Sequence, residues 1–162
     1  MRQALLASLM VGALMGCSSA PTLTTQQRLD LYRQHAGAPV MSFRLDNFMG
    51  AQSWTPLGDS ALALWAGGRE YLIELRGTCT GLSTSGRISI TNSANQLVTR
   101  FDRVVPRTAA PPMGMNACRI SSIRPVDSSA LRETKAELRN ADLIDRASLQ
   151  SEPDDENPSA HQ

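Results

Sequence analysis

The most regular pattern of hydrophobic and polar positions lies at residues 60–79, SALALWAGGREYLIELRGTC. Leucine alternates with alanine before the central glycine pair, and from Tyr71 to Leu75 every second side chain is apolar. Because successive side chains of a strand point to opposite faces, this period of two predicts two half-buried strands. Gly67 and Gly68 would supply the two positive-φ residues of a tight turn. The stretch is therefore predicted to form a β-hairpin.

Shorter runs with the same period surround the hairpin. Turn residues separate the further strands that these runs predict, at 41–45, 52–57, 87–91, 96–106 and 117–123. Leu97, Phe101 and Val105 are expected on one face of the long strand, Ile123 indicates a bulge or a switch of faces, and Pro125 should end the β region. Many short strands without a long crossover helix predict a mainly β fold, α+β overall. We expect a small antiparallel sheet curled into a barrel or sandwich.

Two helices are expected to flank the sheet, one at each end of the chain. The first, at 22–36, is short and can be capped by a threonine. The second, at 128–147, has a thin apolar stripe that includes Leu131, so it should dock on the sheet or project from it. Residues 148–162 are predicted to be disordered, because from Ser151 onward they are acidic and have no apolar side chain larger than alanine.

The first residues resemble an export signal. Arg2 precedes an apolar run at 4–15 that suits a signal peptide but is too short to span a bilayer. The sequence LMGC, ending at Cys17, resembles a bacterial lipobox, in which the cysteine thiol receives a diacylglyceryl group and becomes the new N-terminus. We therefore expect removal of residues 1–16 and a membrane anchor formed by lipid on Cys17.

The residues after the lipobox bear on the expected location. Ser18, rather than aspartate, follows the cysteine, which favours the outer membrane, with the domain at the periplasmic face of the cell envelope. An ordinary signal peptide cut after Ala20 is the alternative, but a proline would then follow the cut. In the lipoprotein interpretation, 17–40 contains the lipidated N-terminus, a linker and the short helix, and 41–127 is the β-rich domain.

Charge is nearly balanced, with 16 Lys and Arg against 15 Asp and Glu. This balance does not favour a nucleic-acid partner, which would require a basic excess on one face. The chain is locally basic around its last two predicted strands, where the candidate patch consists of Arg100, Arg103, Arg119 and Arg124. The patch predicts either cross-strand pairing with Asp102 or a binding surface for anionic lipid or an envelope protein.

Two cysteines remain once Cys17 is assigned to the lipid anchor. In an exported chain, Cys79 and Cys118 predict one disulfide, which would tie the end of the hairpin to the last strand. A metal pair or a redox pair is the alternative. Neither alternative has the C-x-x-C spacing or a histidine nearby in the sequence.

The sequence contains no motif that specifies a reaction. The loop at 81–86 lacks the G-x-S-x-G spacing, Met113 and Met115 form a single thioether pair, and His35 is expected to be a capping or surface residue. The carboxylates left as candidates are Asp59, Glu70, Glu74 and Asp102. Their spacing gives no reason for two of them to converge, so we predict no catalytic residue, metal or cofactor. A non-enzymatic binding or envelope-associated module is the favoured function, and an enzyme with carboxylate or metal chemistry is the alternative.

Several short motifs occur in a specific order along the chain. They are Trp54, Leu57-Gly58, Tyr71-Leu72, Leu75, Cys79, Arg100-Phe101-Asp102, Cys118-Arg119-Ile120 and Ile123-Arg124-Pro125-Val126-Asp127. Together they resemble a family of small proteobacterial exported proteins, often lipoproteins, that is classed as a domain of unknown function. The resemblance covers about 41–127 and implies an exported β-rich domain with two paired cysteines. It carries no known activity and assigns no catalytic residue.

Overall fold

The structure is a computed structural model that describes residues 23–45, 53–107 and 117–150, with the backbone alone for 146–150. In chain order, the elements within these ranges are α1 (Thr25–Gln34), β1 (Ser42–Arg44), β2 (Trp54–Pro56), β3 (Ala61–Ala66), β4 (Arg69–Leu75), β5 (Arg87–Ile90), β6 (Gln96–Val98), β7 (Arg103–Arg107), β8 (Cys118–Val126) and α2 (Ser128–Gln150).

Some of the sequence predictions fall outside the described residues. These are the export signal at 1–16, the lipidation of Cys17, the loop that contains Met113 and Met115, and the disorder of 151–162. They remain predictions.

The strands form one large sheet and one small one. The antiparallel six-stranded sheet has the order β2-β3-β4-β8-β7-β5, and β1 pairs separately with β6. The large sheet is curled, and one helix lies at each end of the chain, which confirms the predicted fold class. β3 and β4 form the predicted hairpin, and φ is 58° at Gly67 and 71° at Gly68. This turn therefore uses the positive-φ region that only glycine enters without strain.

The hairpin is buried on both faces, so the prediction of half-buried strands was wrong. One face packs into what we call the inner core, inside the curl of the sheet; its members include Leu62, Leu64, Ile73, Leu97, Val104, Ile120 and Ile123. The other face packs into the helix-side core, which consists of Leu29, Leu31, Tyr32, Leu57, Ala61, Ala63, Leu72 and Leu131. The alanines of β3 are small, and this allows α1 to pack closely against the sheet.

The predicted long strand at 96–106 is two strands in two different sheets. A turn at 99–101 separates β6 from β7, and Arg100 adopts a left-handed conformation with φ of 70°. Asp102 closes this turn, because its backbone N–H donates to the Val98 carbonyl at 3.1 Å and its carboxylate accepts from the Val98 N–H at 2.7 Å. Phe101, which was expected on a common face with buried residues, is instead 80% exposed.

β8 contains the predicted bulge but continues past Pro125. Glu74 pairs with Ser122 and Leu75 with Ile120, so one residue of β8 is extra and the register shifts. Pro125 pairs with β4 and its carbonyl accepts from the Gly37 N–H at 2.8 Å, on the side away from β4. Because the N and C=O of a strand residue point to the same side, the missing N–H of this proline costs β4 no hydrogen bond.

A disulfide joins Cys79 to Cys118, as predicted, with the two Cα atoms 5.6 Å apart. Cys79 is buried in the inner core and Cys118 packs against it. The backbone N–H of Cys79 also donates to the Asp59 carbonyl, at 2.6 Å. The bond therefore fastens the segment after the hairpin to the first residue of β8.

α2 begins where it was predicted to begin and extends to Gln150 rather than to residue 147. Asp127 caps it, because one carboxylate oxygen accepts from the backbone N–H groups of Ser129 and Ala130, both at 3.1 Å. Hydrogen bonds from Ser129 and Ala130 lower the pKa of this carboxyl group.

Only the first turns of α2 are packed among the described side chains. Leu131 is buried, whereas Leu138, Leu143 and Ile144 are 44%, 59% and 68% exposed. The helix therefore docks at its start, and its thin apolar stripe is exposed farther along. In the described part of the chain, no helix is both long and apolar enough to cross a membrane.

Candidate functional site

On the outer face of the large sheet, the described helices pack over β3 and β4, and neither buried cluster places a described helix over β5 or β7. The helix-side core covers the outer face over β3 and β4. Over β7 and β5 the inner face is apolar, because Val104 lies in the inner core and Ile88 and Ile90 pack against it. Since side chains alternate along a strand, the neighbouring residues of these strands point outward.

The outward positions of β5, β7 and β8 are mostly arginines that face each other across the strands. Arg103 pairs directly with Arg119, and Arg87 pairs directly with Arg107. Arg76 extends the first row, since its backbone N–H donates to the Arg119 carbonyl at 2.8 Å. We call these five exposed residues the arginine face. Like charges placed directly opposite each other destabilise a sheet, so the arrangement costs folding free energy in the absence of an anion.

The described residues provide little to neutralise this face. Among them, the guanidinium groups of Arg76, Arg87, Arg103 and Arg119 form no ion pair or side-chain hydrogen bond, and the guanidinium group of Arg107 donates only to the Ser89 hydroxyl, at 2.8 Å. The adjacent sequence 108–116, TAAPPMGMN, contains no aspartate or glutamate. Among the described residues, no carboxylate therefore neutralises the charge of the arginine face.

The structure brings together two of the four arginines predicted from the sequence. Arg103 and Arg119 lie opposite each other, and Arg100 occupies the left-handed turn beside them. Arg124 forms hydrogen bonds outside the patch: it donates to the Gly37 carbonyl at 2.8 Å and to the Ala36 carbonyl at 2.7 Å. It fastens the segment after α1 to β8 and is not part of the patch.

Sequence reasoning missed Arg76 and Arg87, and it placed Arg107 in the locally basic region without assigning it to the candidate patch. The alternation of side chains places each of these arginines on the outer face of the sheet. Their alignment in rows becomes apparent only when the strand pairing is known. The alternative of cross-strand pairing with Asp102 is wrong among the described residues. Its carboxylate is buried and accepts from the Thr91 hydroxyl, at 3.1 Å, and from the Val98 N–H.

The candidate carboxylates do not converge on a common site. Asp59 accepts from the Ser83 N–H at 2.9 Å, which lowers the pKa of its carboxyl group. Glu74 accepts from Arg33 at 3.0 Å and from Ser122 at 2.8 Å. Asp102 closes the turn described above, and Glu70 lies at the helices. Each one stabilises a different part of the fold.

Metal ligation finds no support in the described ranges, where no group of three or more His, Cys, Asp or Glu side chains is placed to hold an ion. His35 caps α1, as expected, and its Nε2 lies 3.1 Å from the Thr134 hydroxyl of α2. Its role is to connect the two helices.

Glu70 is the buried carboxyl group at the junction of both helices with the sheet. It accepts from the Tyr32 hydroxyl of α1 at 2.8 Å and from the Ser128 hydroxyl of α2 at 3.0 Å. Lys135 lies over the Tyr32 ring, with Nζ 4.7 Å from the ring centroid. Burial, followed by the hydrogen bond to Glu70, raises the pKa of Tyr32 well above its usual value.

The raised pKa of Tyr32 predicts a loss of stability at alkaline pH. An acid whose pKa is higher when folded contributes stability that is complete below the pKa in the unfolded chain, about 10, and is lost as pH rises above it. Urea unfolding at pH 8 to 11 should show this decline. The Tyr32→Phe variant should be about 1 kcal/mol less stable at neutral pH, because it lacks the hydrogen bond, and should decline less above pH 10. Parallel declines in both proteins would contradict the prediction.

Comparison with known protein families places the chain in a family. The chain belongs to a family of unknown function, DUF6491, whose model matches residues 1–142. The match extends beyond the resemblance at 41–127 on both sides and includes the start of the chain and most of α2. No curated protein and no solved structure matches the chain.

Proposed function

We propose that this protein is a lipoprotein anchored through Cys17 at the periplasmic face of the outer membrane, where its β domain is a binding module rather than an enzyme. The sequence LMGC after an apolar leader supports the anchor. The Cys79–Cys118 disulfide supports an oxidising compartment, since disulfides persist in the periplasm and are rare in the cytosol.

The arginine face is the observation that carries the proposed binding function. It carries two rows of opposed, exposed arginines and no acidic partner among the described residues. The described carboxylates, in contrast, are dispersed and engaged in structural hydrogen bonds. The surface is suited to holding an anion in place, and we assign it the binding role.

Intact mass tests the anchor and the compartment together. Protein extracted from membranes without reductant should begin at Cys17, carry acyl chains and weigh two protons less than the dithiol form. The Cys17→Ser variant should lack the acyl mass and leave the membrane fraction. A wild-type chain that begins at another residue, or that has two free thiols, would refute the proposal.

A further inference from the structure

We propose that the arginine face binds the phosphate groups of anionic lipids in the membrane that holds the anchor, with Phe101 seated among the headgroups. This inference rests on the proposed function, since it assigns a ligand to the same surface. It commits the surface to a lipid bilayer rather than to an acidic protein.

The spacing of the arginines suits a layer of phosphates. Arg76, Arg119 and Arg103 occupy neighbouring strand positions, and adjacent strands lie about 4.8 Å apart. Guanidinium groups bind phosphate through two parallel N–H donors, which a lysine cannot do. A row of such groups without carboxylates can bind several phosphates at once, whereas a single small anion would engage only one or two arginines.

Exposed apolar side chains stand beside this row. Phe101 precedes Arg103 by two residues and is 80% exposed, and Met41 is 70% exposed. The two segments are in contact, because the Thr99 N–H donates to the Met41 carbonyl at 2.9 Å. An aromatic side chain near arginines matches the chemistry of the membrane interface, where apolar groups enter the headgroup layer and cations remain at the phosphates.

The proposed anchor would enter the domain at the same end of the sheet. The Thr25 methyl group at the start of α1 lies against Gly58, where a Cβ atom would be only 3.2 Å from it. The next residue, Asp59, accepts from the Cys79 N–H, and Cys79 is bonded to Cys118, the neighbour of Arg119. The start of α1 and the first row of arginines are therefore linked through adjoining residues.

The tether is short enough to keep this end of the domain at the bilayer. Only residues 18–22 lie between Cys17 and Leu23, the first described residue, and the six Cα–Cα steps from Cys17 to Leu23 span about 20 Å when extended. Tethering at this distance gives a high effective concentration of lipid phosphate, so weak individual contacts are sufficient. The anchor and the arginine face would together hold the domain in one orientation on the membrane.

Vesicle sedimentation with the untethered protein tests this inference independently of lipidation. The chain from residue 17 with Cys17→Ser would be mixed with vesicles of phosphatidylcholine alone or with added phosphatidylglycerol. We expect binding only to the anionic vesicles, weakened by raising the salt concentration from 50 to about 300 mM. Absence of binding to the anionic vesicles at low salt, or equal binding to both vesicle types, would overturn the proposal.

Two pairs of charge reversals locate the binding surface. Arg103→Glu with Arg119→Glu should weaken vesicle binding at least tenfold, and Arg103→Gln with Arg119→Gln should weaken it less. The matched control, Arg132→Glu with Arg139→Glu, makes the same change in net charge at exposed positions of α2 and should have a small effect. Equal losses in the two Glu pairs would mean that net charge alone drives binding and would refute the assigned surface. Circular dichroism would confirm that each variant is folded.

Phe101→Ser should reduce vesicle binding several-fold while the salt dependence of the remaining binding is retained. Unchanged binding would refute the role of Phe101.

The outcomes of the mass and vesicle experiments also separate the two proposals. If the intact mass confirms the lipid anchor and anionic vesicles do not bind, the proposed location stands and the assignment of lipid phosphate to the arginine face fails.

Discussion

Replacing either cysteine of the Cys79–Cys118 bond with alanine is expected to lower the free energy of unfolding by about 4 kcal/mol. The bond closes a loop with a sequence separation of 39 residues, and the chain-entropy model gives about 4 kcal/mol for a loop of this length. The loop spans β5, β6 and β7, so without the bond the unfolded chain gains freedom over two of the six strands of the large sheet and one strand of the small sheet. Urea unfolding of the wild type and both variants measures the loss.

The double variant provides the control for this prediction. Because one bond is broken in every case, Cys79→Ala with Cys118→Ala should lose about as much stability as either single variant. Alanine is preferred to serine because Cys79 is 1% exposed, and a serine hydroxyl would be buried in the inner core without an established partner. Additive losses in the double variant would show that the two side chains contribute separately, and the bond itself would then contribute little.

Features that depend on one strand or one turn were predictable from the sequence. Gly67 and Gly68 form the hairpin turn because the positive φ values that the turn requires are open to glycine. Thr24 caps α1 through a reciprocal pair of hydrogen bonds with Gln27, a pattern that spans three residues of sequence. In both cases the residues that determine the structure are close together in the chain.

The division between β6 and β7 could not be predicted by the same reasoning. Phe101 fits the alternation of a continuous strand, and nothing in that alternation signals a turn. The turn depends on the carboxylate of Asp102, which accepts from Thr91, a residue that precedes β6 in the sequence. That contact follows from the folded arrangement, and a short acidic side chain is equally common on an exposed strand face.

The arginine face depended on strand pairing in the same way. Arg87 and Arg107 are far apart in the sequence and become direct neighbours only because β5 pairs with β7 in one particular register. A shift of one residue would turn either arginine toward the inner face. The local basic character around Arg103 and Arg119 was visible in the sequence, whereas the two-row arrangement was not.

Replacing Glu70 with alanine is expected to destabilise the protein by about 3 kcal/mol. Glu70 is 6% exposed and accepts from the Tyr32 and Ser128 hydroxyls. Its removal leaves two hydroxyl donors without this acceptor, one of them on a buried tyrosine, at about 1–3 kcal/mol for a buried group. It also removes the negative charge that offsets Lys135, whose pKa is lowered mainly by desolvation. Urea unfolding measures the total effect.

Glu74 provides the matched control, since it lies on the same face of β4, four residues after Glu70. Its side chain is 24% exposed and pairs with Arg33, so Glu74→Ala should cost less than about 1 kcal/mol. Glu70→Gln should fall between the two, because it keeps one carbonyl oxygen as an acceptor. Hydrogen exchange should speed up at the start of α2 in Glu70→Ala and remain unchanged in Glu74→Ala, since only Glu70 bonds to Ser128. Equal losses of stability in Glu74→Ala and Glu70→Ala would show that burial of the carboxyl group does not determine its contribution to the free energy of unfolding. The packing of α2 on the sheet would then depend on Leu131 and the Asp127 cap.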